Sequence, residues 1–115
     1  MIKIYHNPRC KKSRAGLQYL QERNVDFTIV QYLKDEPFSF ETLKSIFNKM
    51  AVKPTDMIRT QEKEYKAQYK GKSLSDDEWI KIMAENPKFI NRPIIETDNK
   101  AVWGDPPSNI ADLNL

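Results

Sequence analysis

The sequence is poor in cysteine, glycine and histidine, and it lacks any long hydrophobic run. Its 115 residues include one cysteine, three glycines and one histidine. A single cysteine excludes an intramolecular disulfide, and three glycines leave little material for a glycine-rich phosphate-binding loop. His6 and Cys10 are four residues apart with no second pair of ligands, so the sequence predicts no metal site. No stretch approaches the ~18 apolar residues that a membrane-spanning helix requires.

The composition is typical of one soluble domain. Hydrophobic residues make up 39% of the chain and charged residues 30%, which fits a globule with a single core. The N-terminus has no apolar leader segment, and we expect a cytoplasmic monomer without membrane association. The net charge of +3 does not by itself indicate nucleic acid, and no base-reading motif is present. A small anionic substrate accounts for the charge as well.

Hydrophobic periodicity predicts a β-α-β unit, a helical segment, a β-hairpin and a final helix. The first unit comprises a strand at 2–5, a helix at 11–23 and a strand at 27–32. The later elements follow a polar break at 34–37: a helix from Phe40 capped by Ser39, a turn at 56–59 capped by Thr55, a polar helical stretch at 61–72, a helix capped by Ser75, strands at 94–95 and 101–103, and a helix from 107 or 108.

This order predicts an α/β fold with a mixed four-stranded sheet. A right-handed β-α-β crossover places the first two strands parallel to each other. The hairpin and the last helix complete a sheet covered by helices, which is the thioredoxin/glutaredoxin arrangement. We expect a single domain over residues 1–115, with a helical insertion at about 39–86 between the β-α-β and β-β-α halves.

Cys10 follows the first predicted strand and directly precedes the first helix. Four cations surround it in the sequence: Arg9, Lys11, Lys12 and Arg14. Free cysteines are most often buried as small hydrophobic residues, but these neighbours make a poor core. The positive end of a helix and nearby cations both favour a thiolate over a thiol. We therefore predict that Cys10 is a reactive nucleophile.

Three segments carry a family resemblance: Tyr-His-Asn-Pro-Arg-Cys-Lys-Lys-Ser-Arg at 5–14, Met-Ile-Arg at 57–59 and Ile-Asn-Arg-Pro-Ile at 90–94. With them the chain resembles, over essentially its whole length, the glutaredoxin-like arsenate reductase (ArsC) family, which also includes the Spx-type regulators. The resemblance implies a cytosolic monothiol reductase in which Cys10 attacks arsenate. It also implies that glutathione, as co-substrate, and glutaredoxin complete the reduction, without a tightly bound cofactor.

The resemblance also implies an oxyanion site. Arg59 and Arg92 match two arginines that bind the anion in the family. Arginine suits this role because its planar, permanently charged fork gives fixed donors to a tetrahedral oxyanion. Pro93 resembles the cis-proline of thioredoxin-like folds, whose neighbouring backbone faces the active-site sulfur.

Four further residues are predicted to support the thiol: His6, Asn7, Ser13 and Arg14. His6 either lowers the pKa of Cys10 as an imidazolium or hydrogen-bonds the loop as a neutral ring. Asn7 can hold the loop by bonding its own backbone. Ser13 stands where dithiol oxidoreductases have their second cysteine, so the site is a monothiol site and any resolving thiol must come from another molecule.

Asp105 departs from the family pattern, which has an arginine in this segment. A carboxylate there repels an arsenate dianion unless it turns away or pairs with a cation. Two other functions therefore stay open: a glutathione-dependent reductase of another thiol or disulfide substrate, and an Spx-type regulator that binds RNA polymerase. Tyr65 and Tyr69 share a helical face that is a candidate polymerase surface, although a solvated helix is the plainer interpretation.

Overall fold

The computed structural model describes residues 1–34 and 36–115, so Asp35 of the predicted polar break lies outside the described residues. The chain forms two compact units. The first comprises Met1–Pro37 and Arg92–Leu115, and the second comprises Phe38–Asn91. The second unit contains the segment at about 39–86, which is the predicted helical insertion. Within the described residues, no helix has the length and apolarity needed to cross a membrane.

The first unit is built on a mixed four-stranded sheet in the order β2-β1-β3-β4. β1 runs parallel to β2 and antiparallel to β3, and β3 runs antiparallel to β4. The predicted sheet is thereby confirmed, although β2 is shorter than the predicted 27–32. The strands are β1 (Lys3–Tyr5), β2 (Thr28–Val30), β3 (Ile94–Glu96) and β4 (Ala101–Trp103).

A single helix, α1 (Lys11–Glu22), links β1 to β2. It ends as predicted, because Asn24 adopts the left-handed conformation (φ 55°) that asparagine tolerates better than most residues. Its buried face packs with the sheet and with the 3₁₀ helix Pro107–Leu113, which occupies the place of the predicted last helix. The core cluster formed in this way contains Ile4, Leu20, Ile95, Ile110 and Leu113.

Two glycines allow α1 to lie close to the chain around Pro93. A Cβ atom on Gly16 would lie 2.6 Å from Cγ of Pro93, and one on Gly104 would lie 3.1 Å from the same atom. Any larger residue at Gly16 would push the helix away from the proline. The absence of a side chain at Gly16 therefore fixes where the N-terminus of α1 stands relative to residues 92–93.

The second unit consists of three helices: α2 (Phe40–Met50), α3 (Lys63–Gln68) and α4 (Asp76–Glu85). Ser39 and Ser75 cap α2 and α4 as predicted, each accepting a hydrogen bond from a backbone N–H three residues on. The predicted Thr55 cap is wrong. A 3₁₀ turn spans Pro54–Met57 and begins after Lys53, because the fixed φ of proline suits the first helical position.

Tyr65 and Tyr69 belong to the packing of this second unit. The Tyr65 ring lies 6.2 Å from the Phe89 ring and 6.3 Å from the Trp79 ring, measured between centroids. The Tyr69 ring lies 5.8 Å and 6.3 Å from the same two rings. Three of these four pairs are edge-to-face and the Tyr65–Trp79 pair is tilted, and aromatic pairs at these distances stabilise packing. Both tyrosines thus attach the short α3 to α4 and to Phe89, so the contacts do not favour a free polymerase-binding face.

We predict that Gly16→Ala destabilises the protein by about 1–3 kcal/mol, because the added methyl group overlaps Pro93. At an exposed helical glycine, the same change to alanine would instead increase the free energy of unfolding of the protein. Urea unfolding of the variant and the wild type measures the difference. Gln18→Ala, an exposed change two residues along α1, is the control and is expected to lie within about 0.5 kcal/mol of wild type. Equal or greater stability of Gly16→Ala would contradict the close contact.

Candidate active site

Cys10 is the N-cap residue of α1 and is partly exposed. The loop before it is held by its own backbone and side chains. The Cys10 N–H donates to the carbonyl oxygen of Asn7 at 3.0 Å, and the Arg9 N–H donates to Oδ1 of Asn7 at 3.1 Å. Arg14 reaches back from the helix and donates from Nη1 to the carbonyl oxygen of Pro8 at 3.0 Å. Asn7 and Arg14 thus fix the loop that presents the thiol.

The surroundings lower the pKa of the Cys10 thiol below its ordinary value. Burial is the largest single influence and acts in the opposite direction, because it disfavours the charged form. It is outweighed by the hydrogen bond and the charge of the Arg92 side chain together with the backbone N–H groups of Ser13 and Lys12. These N–H groups lie in the first turn of α1, where they have no partner within the helix. The sequence prediction identified the helix end and the neighbouring cations, but Arg92 is the side chain that bonds the sulfur.

Ser13 is fully buried and fixes the loop. Its Oγ lies 2.7 Å from Nδ1 of His6 and accepts a hydrogen bond from the Asn7 N–H at 2.9 Å. At the position where dithiol oxidoreductases have their second cysteine, the Ser13 hydroxyl thus connects His6 with Asn7. The chain has no second cysteine in this place or elsewhere.

His6 is buried, and burial lowers its pKa below the ordinary value of 6.5. The charge of Arg14 lowers the pKa further, while a hydrogen bond with Ser13 acts against both effects. Of the two roles considered for His6, these surroundings favour the neutral ring that hydrogen-bonds the loop. The charge that stabilises the thiolate therefore comes from Arg92.

The Arg92–Pro93 peptide bond is cis, as the resemblance implied. The backbone on both sides of this bond is hydrogen-bonded to the end of β4 and to the residue that follows it. Nε1 of Trp103 donates to the carbonyl oxygen of Arg92 at 3.2 Å, and the Gly104 N–H donates to that of Pro93 at 2.8 Å. This bonding holds Arg92 where its side chain reaches Cys10.

Asp105 forms an ion pair with Lys12 across 3.3 Å, from Oδ2 to Nζ. The carboxylate is 24% exposed. A hydrogen bond also holds its backbone, because Nδ2 of Asn109 donates to the Asp105 carbonyl oxygen at 3.2 Å. The Asp105 carboxylate is therefore paired with a cation, which is the arrangement in which it can tolerate an anion nearby. Sequence reasoning did not find Lys12 as the partner, since the two residues are far apart in the chain.

Arg59 belongs to the second unit. Its Nε donates to Oε2 of Glu62 at 3.2 Å, and its N–H donates to the carbonyl oxygen of Phe89. The first unit brings together Cys10, Ser13 and His6 with Arg92 and Pro93. No cluster of three or more His, Cys, Asp or Glu side chains able to hold a metal occurs in residues 1–34 and 36–115.

Comparisons with known proteins show the family and the fold of this chain. The ArsC family model matches residues 5–113. A protein named arsenate reductase from Neisseria meningitidis is 40% identical over 111 residues, which are 95% of this chain and 94% of that protein. One of the same name from Haemophilus influenzae is 34% identical and covers 96% of both chains. A solved structure named arsenate reductase from Vibrio cholerae is 36% identical with a TM-score of 0.90, and covers 96% of this chain and 95% of that one.

The chain therefore belongs to the ArsC family, and is an oxidoreductase with a thioredoxin-like fold. The family and the fold class implied by the sequence motifs are confirmed. The roles of the individual site residues are taken up below as part of a proposal.

We predict that Arg92→Gln raises the pKa of Cys10, because the change removes the charge and weakens the hydrogen bond to the sulfur. The rate of alkylation by iodoacetamide, measured against pH, reports the thiolate fraction. The inflection of the variant should lie at higher pH than that of wild type. Arg23→Gln, at the other end of α1, is the matched control and should leave the inflection in place. Identical profiles for Arg92→Gln and wild type would contradict the Arg92–Cys10 interaction.

We predict that His6 makes folding stability depend on pH in the acid range. Its pKa is lower in the folded protein than in the unfolded chain, so the unfolded state binds more protons as pH falls below about 6.5. The free energy of unfolding should therefore decrease with falling pH and do so more steeply in wild type than in His6→Asn. Urea unfolding at a series of pH values measures both slopes. A steeper slope in the variant would show that His6 is held protonated instead.

Proposed function

We propose that this chain is a monothiol arsenate reductase that uses glutathione and glutaredoxin as its reductants and works in the cytoplasm. The observation that supports it best is the Cys10 thiol at the N-terminus of α1, hydrogen-bonded by Arg92 and with a lowered pKa. The names of relatives at 40% and 34% identity support arsenate as the substrate. The single-domain organisation over residues 1–115 and the monomeric state are part of the same proposal.

In the proposed first step, the Cys10 sulfur attacks the arsenic of arsenate. A sulfur–arsenic bond forms and one arsenate hydroxyl leaves as water, taking a proton from a second arsenate hydroxyl. The N–H groups of Lys12 and Ser13 and the side chain of Arg92 stabilise both the thiolate and the anionic adduct. Arg59 supplies a second guanidinium for the oxyanion in this proposal, which rests on the family resemblance and on the suitability of arginine for such ligands.

In the proposed second step, glutathione attacks the sulfur of the adduct. A disulfide forms between glutathione and Cys10 while the sulfur–arsenic bond breaks. Its electron pair stays on arsenic, which is reduced from As(V) to As(III), and the glutathione proton passes to the leaving arsenite. Glutaredoxin then reduces the mixed disulfide by thiol exchange and restores Cys10. The reductant must come from outside because Ser13, not a cysteine, follows Cys10 by three residues.

Asp105 bears on the choice of substrate. A free carboxylate at the site would favour a substrate other than arsenate, such as a glutathionylated protein. The pairing of Asp105 with Lys12 at 3.3 Å weakens that argument because the two charges compensate each other. Binding of RNA polymerase has less support, since Tyr65 and Tyr69 pack on Trp79 and Phe89.

Replacing Cys10 by Ser is predicted to abolish arsenate-dependent NADPH oxidation in an assay with glutathione, glutaredoxin and glutathione reductase. A serine hydroxyl is not ionised at neutral pH and cannot form the disulfide of the second step. The rate should fall to that without enzyme. Lys100→Gln, an exposed change in the β3–β4 turn, is the control and should retain the wild-type rate.

Two results would overturn the proposal. Turnover by Cys10→Ser would show that the thiol is not the nucleophile. An inactive wild type with a thiol that still reacts with iodoacetamide would exclude arsenate as the substrate. Reduction of a glutathionylated protein by the same preparation would then identify the alternative reductase.

A further inference from the structure

A cleft of about 550 Å³ lies beside the Cys10 loop in the first unit. One wall is formed by residues 6–9, directly before Cys10, and the other by Gln31, Leu33 and Lys34, which follow β2. This volume is in the range of ~300–1,000 Å³ that is typical of small-molecule sites. The proposed reaction needs a binding site for arsenate and a second binding site for the thiol that reacts after it.

The cleft lies at the carboxyl ends of two parallel strands, where ligands bind in many α/β sheets. The His6 N–H donates to the Val30 carbonyl oxygen at 2.9 Å and continues the pairing of β1 with β2 to the cleft. On the other wall, the N–H groups of Lys34 and Glu36 both donate to the Gln31 carbonyl oxygen, at 3.1 and 3.3 Å. Backbone hydrogen bonds therefore hold both walls of the cleft.

The charge of the cleft is suited to a carboxylate. Among the described lining residues, Arg9 and Lys34 are cations and none is acidic. Both side chains are exposed, and within residues 1–34 and 36–115 neither forms a salt bridge. Pro8 and Leu33 add apolar surface, and Leu33 is 43% exposed. Two cations beside an apolar wall suit an anionic ligand that also has apolar groups, as a short anionic peptide does.

We propose that this cleft binds the reducing thiol, a small anionic peptide thiol of the glutathione class, with a carboxylate between Arg9 and Lys34 and its thiol toward Cys10. The inference rests on the proposed function, in which such a thiol attacks the Cys10 adduct. The chain supplies no thiol of its own there, since Ser13 Oγ is held by His6 and Asn7. The bonds formed and broken are those of the second step described above.

Isothermal titration with S-methylglutathione, which cannot react, tests this site without arsenate. Lys34→Gln and Arg9→Gln should each weaken binding roughly fivefold, as expected for one exposed ion pair, and the double variant roughly twentyfold. Esterifying the glycine carboxylate of S-methylglutathione with an ethyl group should weaken its binding to wild type. The double variant should bind the ester and S-methylglutathione with equal affinity. The matched control is Lys100→Gln. Its position after β3 lies at the end of the sheet opposite the cleft, because Tyr5 pairs with Ile94 and Lys3 with Glu96.

Steady-state kinetics in the arsenate assay separate this inference from the proposed function. The variants should raise the KM for glutathione by the same factors and leave the KM for arsenate within about twofold. Charge-dependent binding of S-methylglutathione by a protein that does not reduce arsenate would support the cleft and refute the proposed function. Arsenate reduction with unchanged glutathione binding in both variants would refute the cleft alone. A raised KM for arsenate or for glutaredoxin, without a change for glutathione, would also refute it.

Discussion

The hydrogen bond between the Arg92 side chain and the Cys10 thiol is the interaction on which the site depends. It joins two segments that are more than eighty residues apart in the chain, and the rest of the first unit holds both in place. Gly16 lets α1 approach Pro93, and β4 bonds the backbone of residues 92 and 93 through Trp103 and Gly104. The fold thus brings a permanent cation to the end of a helix that already carries partial positive charge.

The positive charge beside the Cys10 thiol belongs to an arginine, and this affects how the thiol responds to pH. Arginine stays protonated throughout the physiological range, whereas histidine titrates within it. Burial and the charge of Arg14 lower the pKa of His6, and its ring contacts the buried Ser13 hydroxyl. The contribution of Arg92 to the stability of the Cys10 thiolate therefore does not change with pH in this range. His6 acts on the site through the shape of the loop, and its own ionisation affects folding.

Much of this arrangement could be predicted from the sequence, because it depends on local patterns. The strand–loop–helix around Cys10, the caps at Ser39 and Ser75 and the β3–β4 hairpin are each set by neighbouring residues. Contacts between residues that are far apart in the chain leave no such pattern in the sequence. The ion pair of Lys12 with Asp105 and the role of Ser13 between His6 and Asn7 became visible only with tertiary structure. The Thr55 cap failed for a local reason, since Pro54 competes for the start of the same turn.

In the proposed reaction, the single cysteine must expose its sulfur to two different molecules in turn. Full burial would raise the pKa of Cys10 and block the second thiol, while full exposure would weaken its hydrogen bonds with Arg92 and the helix N–H groups. The partial exposure of Cys10 at the start of α1 satisfies both requirements. The Arg92 side chain and the N–H groups of Lys12 and Ser13 at the sulfur are donors that suit an oxyanion. The loop that precedes Cys10 borders the cleft with Arg9 and Lys34, which in our proposal receives the reducing thiol.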